Sequence, residues 1–359
     1  MIRWRAGTVT ALRRSWDGAS ELSVTVDGDQ DSIKALAYTP LVGEPAVGDR
    51  VLLNVGALEM GLGTGGYALV VALPDNLPAS DLADSRDGGH LVKARYTPLQ
   101  AIMMGVDEEA SPHRAVLAEA DDLEGMPVVL ADLHSALPAV LAGIGTGPRV
   151  AYLMTDGGAL PAWFSRTLSA LKPHLAGTVT VGQAFGGDLE ATTVHSGLLA
   201  ARHVLGADVT IVAQGPGNLG TGTRWGFSGV AVGEAVNAVT TLGGRAVGSL
   251  RISDADPRPR HRGISHHSVT AYGRVALTRA DLVVPTPLPA SVAEDVESTL
   301  RLLAERHTIV RVPTAGLDDA LRASPVPLST MGRDLDGDYA YFVAAAAAGR
   351  HAASLLPAA

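Results

Sequence analysis

The sequence predicts an α/β protein in which a mostly parallel, doubly wound, Rossmann-like sheet follows a small all-β barrel domain. From about residue 126, apolar strands alternate with helix-sized amphipathic segments, a rhythm typical of βα units with helices on both faces of a sheet. Before residue 73, short segments of alternating polarity are separated by turn signals. That second pattern favours a small, OB-like barrel.

The boundaries of the predicted domains follow from local composition. Residues 1–73 form the barrel, in which Leu22–Val26 alternates as a half-buried strand and Asp17-Gly18 is a hairpin turn signal. Residues 74–125 are a linker and connecting segment, because Pro74–Gly89 is rich in Pro, Asp, Ser and Gly. Residues 126–359 are the α/β ligand-binding domain.

Apolar runs and amphipathic segments give the elements of this second domain. The predicted strands are Val128–Leu133, Val150–Met154, Thr178–Val181, Val209–Ala213, Val247–Ile252, Leu282–Pro285 and Thr308–Val312. The predicted helices lie near residues 161–172, 192–204, 230–241, 265–278 and 291–306.

The C-terminal segment Tyr339–Leu356 is apolar and rich in Ala, and it also carries Arg350 and His351. These charges favour a packed helix over a membrane span. The run Ala344–Ala348 would let another helix approach closely, either within the same chain or across a homodimer interface. The sequence leaves both interpretations open.

Composition limits the classes of function. A net charge of −9 over 359 residues argues against a general nucleic-acid or anionic-membrane partner. The sequence has no Cys, which excludes disulfides, thiolate catalysis and Cys-ligated zinc. The N-terminal MIRWRAGTVT lacks the apolar core of a signal peptide. We therefore expect a cytoplasmic protein that binds neither membrane nor nucleic acid.

The loops at the two edges of the predicted sheet differ in chemistry. The helix-to-strand loops are short and read HLAG, LGAD, LGGR and TRAD. The strand-to-helix loops are long and rich in Gly, Asp, Arg and His. Since ligands of open α/β sheets bind outside the carboxyl ends of the strands, the sequence predicts a binding site at this carboxyl edge.

One of these loops, Gln214–Gly229, reads QGPGNLGTGTRWGFSG and contains six glycines. It has the spacing G-x-G-x-x-G, but the next acidic residue at a strand end is Asp254, far beyond the expected distance of about twenty residues, so NAD or FAD is not expected. It is neither a P-loop with Lys nor a nucleophile elbow. Bare amides near a helix start favour a bound anion, with a tight structural loop as the alternative. The predicted anion-binding residues are Gly215, Gly217, Gly220, Thr221, Gly222 and Thr223.

A second loop segment, Arg251–Ser268, concentrates Arg, Asp and His. Three of its arginines are predicted to add charge to the anion site: Arg258, Arg260 and Arg262. Ser265 is a good N-cap and would place His266 and His267 in a first helical turn, where the helix field favours the neutral imidazole. Surface ion pairs and helix capping are the structural alternative.

Acidic and imidazole groups at this edge are the candidates for chemistry. The predicted catalytic residues are Asp156, Asp188, Asp254, His266 and His267. If a divalent metal is bound, its candidate ligands are Asp254, Asp256, His261 and His266. For Asp188, N-terminal capping of a helix is the alternative role.

Several of these strings resemble a known family. MTDGGALP, AFGGDLEA, GPGNLGTGT with GFSG, and DPRPRHRGISHHS resemble those of a bacterial family catalogued as a domain of unknown function. GLGTGGY and MGRDLDGDYAYFVAAAAAG also fit that family, so the resemblance spans nearly the whole chain. It implies that barrel and α/β unit belong to one protein, and it carries no known reaction, cofactor or catalytic residue.

Taken together, these patterns suggest a hydrolase or group transferase that acts on a small anionic, phosphate-bearing substrate at the carboxyl edge of the sheet. A non-catalytic sensor of small molecules or nucleotides is one alternative, and a structural protein is another. The sequence does not decide whether the protein is an enzyme.

Overall fold

The computed structural model describes residues 2–78 and 89–357. Residues 79–88, which are part of the predicted linker and connecting segment, lie outside the described residues. The chain divides into two compact units. The first comprises the described part of Met1–Gly88 with Ala94–Ile102 and Trp163–Ser169, and the second comprises the remainder. The predicted domain boundaries at residues 73 and 126 stay predictions.

The first unit contains a closed barrel of five strands, as the sequence predicts. The strands are β1 (Trp4–Trp16), β2 (Ala19–Val26), β3 (Ser32–Ala37), β4 (Arg50–Asn54) and β5 (Ala68–Ala72), with the short helices α1 (Thr39–Val42) and α2 (Gly56–Glu59). They pair in the order β1-β2-β3-β5-β4. Apolar and polar residues alternate along β2, and the apolar Leu22, Val24 and Val26 lie in the barrel core. At the β1–β2 turn, Gly18 has a φ of 71°, which a tight hairpin requires.

The second unit is built on an eight-stranded parallel sheet. The connecting segment before it holds β6 (Leu91–Lys93), β7 (Ala101–Met103) and α3 (Arg114–Glu119). The strands of the sheet are β8 (Pro127–Leu130), β9 (Val150–Thr155), β10 (Gly177–Thr180), β11 (Leu189–Glu190), β12 (Val209–Gln214), β13 (Arg245–Ser249), β16 (Asp281–Thr286) and β17 (Thr308–Pro313). Two further strands, β14 (Ile252–Ser253) and β15 (Gly263–Ile264), form an antiparallel pair.

The strand order of the large sheet is β11-β10-β9-β12-β8-β13-β16-β17. Strand β8 comes first along the chain among the strands of this sheet, but it lies in the middle of the sheet, because it pairs with β12 on one side and with β13 on the other. Its residues and those of β12 are buried throughout, as apolar runs in a parallel sheet should be. The predicted parallel, Rossmann-like sheet is confirmed.

Two groups of helices cover this sheet. The described chain after β8 contains the helices α4 (Leu137–Ile144), α5 (Arg166–Leu171), α6 (Val194–His203), α7 (Ala231–Thr241), α8 (His266–Thr270), α9 (Ala293–Leu303), α10 (Leu317–Arg322) and α11 (Tyr339–Ser354); most of α5 belongs to the first unit. Helices α6 and α7 contact each other and the central strands, whereas α4, α10 and α11 pack together as a second group. A π-helical turn, Ala271–Val275, continues α8.

The predicted C-terminal helix forms as α11, and its Ala run packs within the same chain. A Cβ atom at Gly143 of α4 would lie 1.9 Å from the Ala346 carbonyl oxygen, and one at Gly349 would lie 2.0 Å from that of Val140. Glycine is therefore required at both points of contact. Ala344–Ala348 is fully buried, and a homodimer stays a prediction. Within residues 2–78 and 89–357, no helix combines the length and apolarity needed to cross a membrane.

Some predicted boundaries are wrong for local reasons. The strand predicted to reach Leu133 ends at Leu130, and the strand predicted to reach Ile252 ends at Ser249. In both cases apolar residues continue past the last residue that pairs in the sheet, so a change in polarity does not mark the end of the strand. Helix α4 is not predicted because its sequence, LPAVLAGI, has no charged or strongly polar residue, so no polar face marks it as a helix.

Candidate functional site

The carboxyl edge of the sheet brings four loops side by side. The order β9-β12-β8-β13 makes the loops that follow these strands neighbours. The pairing of β12 with β9 runs from Val209–Val150 to Gln214–Thr155, so the two strands end together. Beyond this point, a Cβ atom at Gly158 would lie 2.1 Å from the Gly215 carbonyl oxygen. Direct backbone contact between the loops therefore accounts for these glycines.

The Gly-rich loop after β12 closes on itself as a small hairpin. Gly220 and Phe227 form an antiparallel bridge, and the Thr221 amide donates to the Gly226 carbonyl at 2.7 Å. The hydroxyls of Thr221 and Thr223 lie 3.1 Å apart and bond to each other. Residues 219–225 are exposed. The candidate anion-binding loop is thus held by its own bonds at the surface of the carboxyl edge.

Three histidines meet next to this loop, and we call them the histidine cluster: His261, His266 and His267. The Ser265 hydroxyl accepts from the His267 amide at 3.2 Å and caps α8, which fixes the two adjacent histidines as the sequence predicts. One ring nitrogen from each member lies within 4.8 Å of the others. The ring of Phe227 stacks on the imidazole of His267, with the two ring centroids 3.8 Å apart.

Burial keeps two of these imidazoles neutral. It lowers the pKa of His261 to about 3, and the nearby Arg251 guanidinium adds to the effect. It also lowers the pKa of His266 to about 4, with a further contribution from His267. Neutral imidazoles can accept a proton or bind a metal ion.

An aspartate that the sequence analysis did not select lies beside the cluster. Asp132 follows β8, and its Oδ2 is 3.6 Å from His267 Nδ1, which is too long for a hydrogen bond. Both side chains are buried. The Asp132 carbonyl accepts from Gln214 Nε2 at 2.7 Å, which joins the ends of β8 and β12. An acidic residue inside the apolar run VVLADL at a strand end was the signal that could have revealed it.

Arg251 also lies near the histidine cluster and is only 3% exposed. Its Nη2 donates to Asp256 at 3.2 Å, and Asp256 also accepts from Arg258 at 2.9 and 2.8 Å. Burial alone would raise the pKa of Asp256, but the hydrogen bonds from Arg258 outweigh it and hold the pKa well below its usual range. The Asp256 carboxylate thus already pairs with the guanidinium groups of Arg251 and Arg258.

The most informative feature is a set of unsatisfied atoms. In residues 2–78 and 89–357, five buried side-chain atoms lack a hydrogen-bond partner in the protein, and we call their residues the unsatisfied cluster. They are Asp132 Oδ2, Gln214 Oε1, Arg251 Nη1, His266 Nε2 and His267 Nδ1. Gln214 ends β12, Asp132 follows β8, and the other three residues lie in the segment after β13. Each such atom costs about 1–3 kcal/mol, so their concentration in one place points to a ligand site.

The other predicted site residues bond elsewhere or face solvent. Asp156 is exposed and accepts from the Gln183 amide at 2.8 Å. The Asp188 carboxylate accepts from Lys172 at 3.0 Å and from Thr178. Asp254 accepts from the Ser291 hydroxyl at 2.8 Å. Arg260 and Arg262 are exposed, and Arg260 lies against the hairpin near Gly222.

Comparison with known proteins identifies the family. The model of a family described as a protein of unknown function (DUF3866) matches residues 34–349 of the 359. The chain belongs to this family, and the resemblance seen in its loop motifs is confirmed. No curated protein matches the chain. Family membership therefore brings no named activity to the site.

Proposed function

We propose that this protein is an enzyme that hydrolyses a small anionic substrate, or transfers a group from it, at the carboxyl edge of the sheet. The observation that carries the proposal is the unsatisfied cluster. Buried polar atoms without partners are rare in folded proteins, and here they include an acid, a cation and two imidazoles. A substrate that fills the site would satisfy them.

The charge around Arg251 supports an anionic substrate. The guanidinium groups of Arg251, Arg258 and Arg333 surround Asp256, and Arg333 also pairs with Asp338 at 2.8 Å. Three positive groups thus face two carboxylates, which leaves one positive charge for a ligand. Arg251 Nη1 is buried without a partner, and a planar guanidinium suits carboxylate or phosphate oxygens.

The histidines supply the acid–base chemistry of the proposal. The oxygen of a water molecule attacks the electrophilic phosphorus or carbonyl carbon, and the bond to the leaving group breaks. An imidazole, that of His266 or His267, takes the proton of that water and later gives it to the leaving group. The Asp132 carboxylate, 3.6 Å from His267 Nδ1, would stabilise the imidazolium that forms.

The exposed hairpin and the outer arginines would form the entrance to this site. Arg260 contributes to lowering the pKa of His266 and lies beside Gly222. Positive charge there would attract an anion before it reaches Arg251. In this proposal, Thr221, Thr223 and Arg262 guide the substrate rather than react with it.

A ligand and turnover panel tests the proposal. Inorganic phosphate, sugar phosphates and nucleotides should raise the melting temperature of the wild-type protein by several degrees at saturating concentration. Arg251→Lys should lose this shift because it cannot donate through a planar fork. The matched control is Arg311→Lys, which alters an exposed pair with Glu297 and should retain the shift.

Activity toward p-nitrophenyl phosphate and its diester separates an enzyme from a sensor. Wild-type protein should release nitrophenolate, and His267→Gln should lose turnover while keeping its shift with phosphate. A wild-type protein that binds phosphate but turns over neither ester would indicate a sensor. Absence of any shift with every anion of the panel would contradict the proposal.

A further inference from the structure

We infer that His261, His266 and His267, together with Asp132, bind a single divalent transition metal of the zinc class. The inference deepens the proposed function and rests on it for the metal's role in the reaction. Metal binding itself can be measured without any substrate, so the two can fail separately.

The geometry of the histidine cluster supports a metal. A tetrahedral zinc ion with bonds of about 2.0–2.1 Å holds neighbouring ligand atoms about 3.3 Å apart. His267 Nδ1 and Asp132 Oδ2 lie 3.6 Å apart, close to that separation and beyond hydrogen-bonding range. Neither atom has a partner in the protein. A carboxylate oxygen and a ring nitrogen that face each other at this distance suit a cation between them.

The other two histidines lie close enough to reach the same ion. One ring nitrogen of each histidine lies within 4.8 Å of the others, so modest ring rotations would close the set around one ion. His266 Nε2 is buried without a partner. His261 bonds to the Ser265 hydroxyl through Nδ1 at 2.7 Å, which leaves Nε2 for the metal. Such a partner on the second nitrogen is usual for a metal-binding histidine.

The ligand types select the metal. Three imidazoles and one carboxylate suit zinc and its first-row neighbours, whereas magnesium and calcium prefer sites built from oxygen ligands. Zinc can expand to five ligands during a reaction, which leaves room for a substrate oxygen.

A bound water is a weaker explanation of the unsatisfied atoms. A cavity of about 10 Å³ lies between Asp132, Gln214, Ser228 and Gly229, with room for about one water molecule. That water could satisfy Gln214 Oε1. The lining of the cavity includes neither Arg251 nor any member of the histidine cluster, so it does not account for their free atoms.

Equilibrium dialysis with zinc alone tests the inference. Full-length protein is stripped with a chelator, dialysed against zinc sulfate, and analysed for bound metal by elemental analysis. We expect about one zinc ion per chain for the wild type and loss of stoichiometric binding for His266→Gln and His267→Gln. His174→Gln changes an exposed histidine outside the cluster and should bind like the wild type.

Two further measurements make the outcome unambiguous. Cobalt(II) in place of zinc should give the visible absorption of a four-coordinate site in the wild type, and Asp132→Asn should change that spectrum while circular dichroism stays unchanged. Binding well below one zinc per chain, or equal binding by wild type and His266→Gln, would overturn the inference. Zinc binding without any anion shift or turnover would leave the inference intact and contradict the proposed function instead.

Discussion

Two buried polar clusters in the second unit differ in how completely the protein satisfies them. The first, which we call the lysine cluster, consists of Lys93, Glu190 and their partners at the ends of β10 and β11. The Lys93 ammonium is fully buried and lies 3.3 Å from Glu190 Oε2. It donates at 2.8–3.2 Å to three backbone carbonyls, those of Gly182, Ala184 and Ala191.

Glu190 completes the lysine cluster. Its oxygens accept from the Thr180 hydroxyl at 2.7 Å and the Gly186 amide at 2.6 Å. The unsatisfied cluster, at the ends of β8 and β12 and in the segment after β13, instead holds five buried side-chain atoms without partners among the described residues. Burial and charge therefore do not identify a site by themselves. A satisfied network holds a fold together, whereas an unsatisfied one is built for a ligand.

The largest expected effect comes from the lysine cluster, whose buried polar groups all have partners. Lys93→Met leaves the Glu190 carboxylate buried without its cation, so we expect the free energy of unfolding to fall by about 3–5 kcal/mol. Denaturant titration measures this change in the free energy of unfolding. The control is Lys172→Met, which removes one member of a partly exposed ion pair and should change the free energy of unfolding only slightly. Folded Lys93→Met protein should still bind zinc. Loss of zinc binding in that folded protein would remove the distinction between the clusters.

Asp132→Asn should have opposite effects on stability and binding. In chelator-treated protein the new amide can donate to His267 Nδ1, so the free energy of unfolding should rise by about 1 kcal/mol, while zinc affinity falls. Asp188→Asn is the matched control, because that carboxylate is satisfied by Lys172 and Thr178. The free energy of unfolding of Asp188→Asn should fall by about 1–3 kcal/mol, and its zinc affinity should stay unchanged. A loss of stability in both variants would contradict the comparison.

The stability that Asp256 contributes should depend on pH. Its carboxylate faces Arg251, Arg258 and Arg333, with His261 nearby. Its pKa is held well below the value of about 3.9 found in unfolded chains, so the contribution is present above about pH 4 and is lost as the pH falls toward the depressed pKa. The difference in unfolding free energy between wild type and Asp256→Asn should shrink between about pH 5 and pH 2. A constant difference would show that Asp256 is not ionised in the folded protein.

The smallest effect concerns the N-cap of α8. Ser265→Ala removes the cap and the partner of His261 Nδ1. It should cost about 1 kcal/mol of stability and lower zinc affinity about tenfold. Thr193→Ala removes the cap of α6, so it should cost similar stability without changing zinc affinity. Equal zinc affinities for the two variants would show that Ser265 acts only as a cap.

The part of the site that local sequence specifies was predictable. The parallel sheet, its polar carboxyl edge and the placement of His266 and His267 behind the Ser265 cap follow from apolar runs and short-range signals. The role of Asp132 did not follow, because it depends on β8 lying between β12 and β13, and strand order is not written in any one segment. Asp188 was selected for its loop position, but its bonding to Thr178 and Lys172 appears only once β10 and the loop are folded together.

The distinction between the two clusters can be tested most directly by anomalous X-ray scattering at the zinc edge. Crystals of chelator-stripped wild-type protein, soaked in zinc alone, should show a single strong peak between the rings of His261, His266 and His267, beside Asp132. The same soak of His267→Gln crystals should remove that peak. A peak elsewhere on the chain, or none at the histidine cluster, would contradict the assignment of the unsatisfied atoms to a metal-containing site.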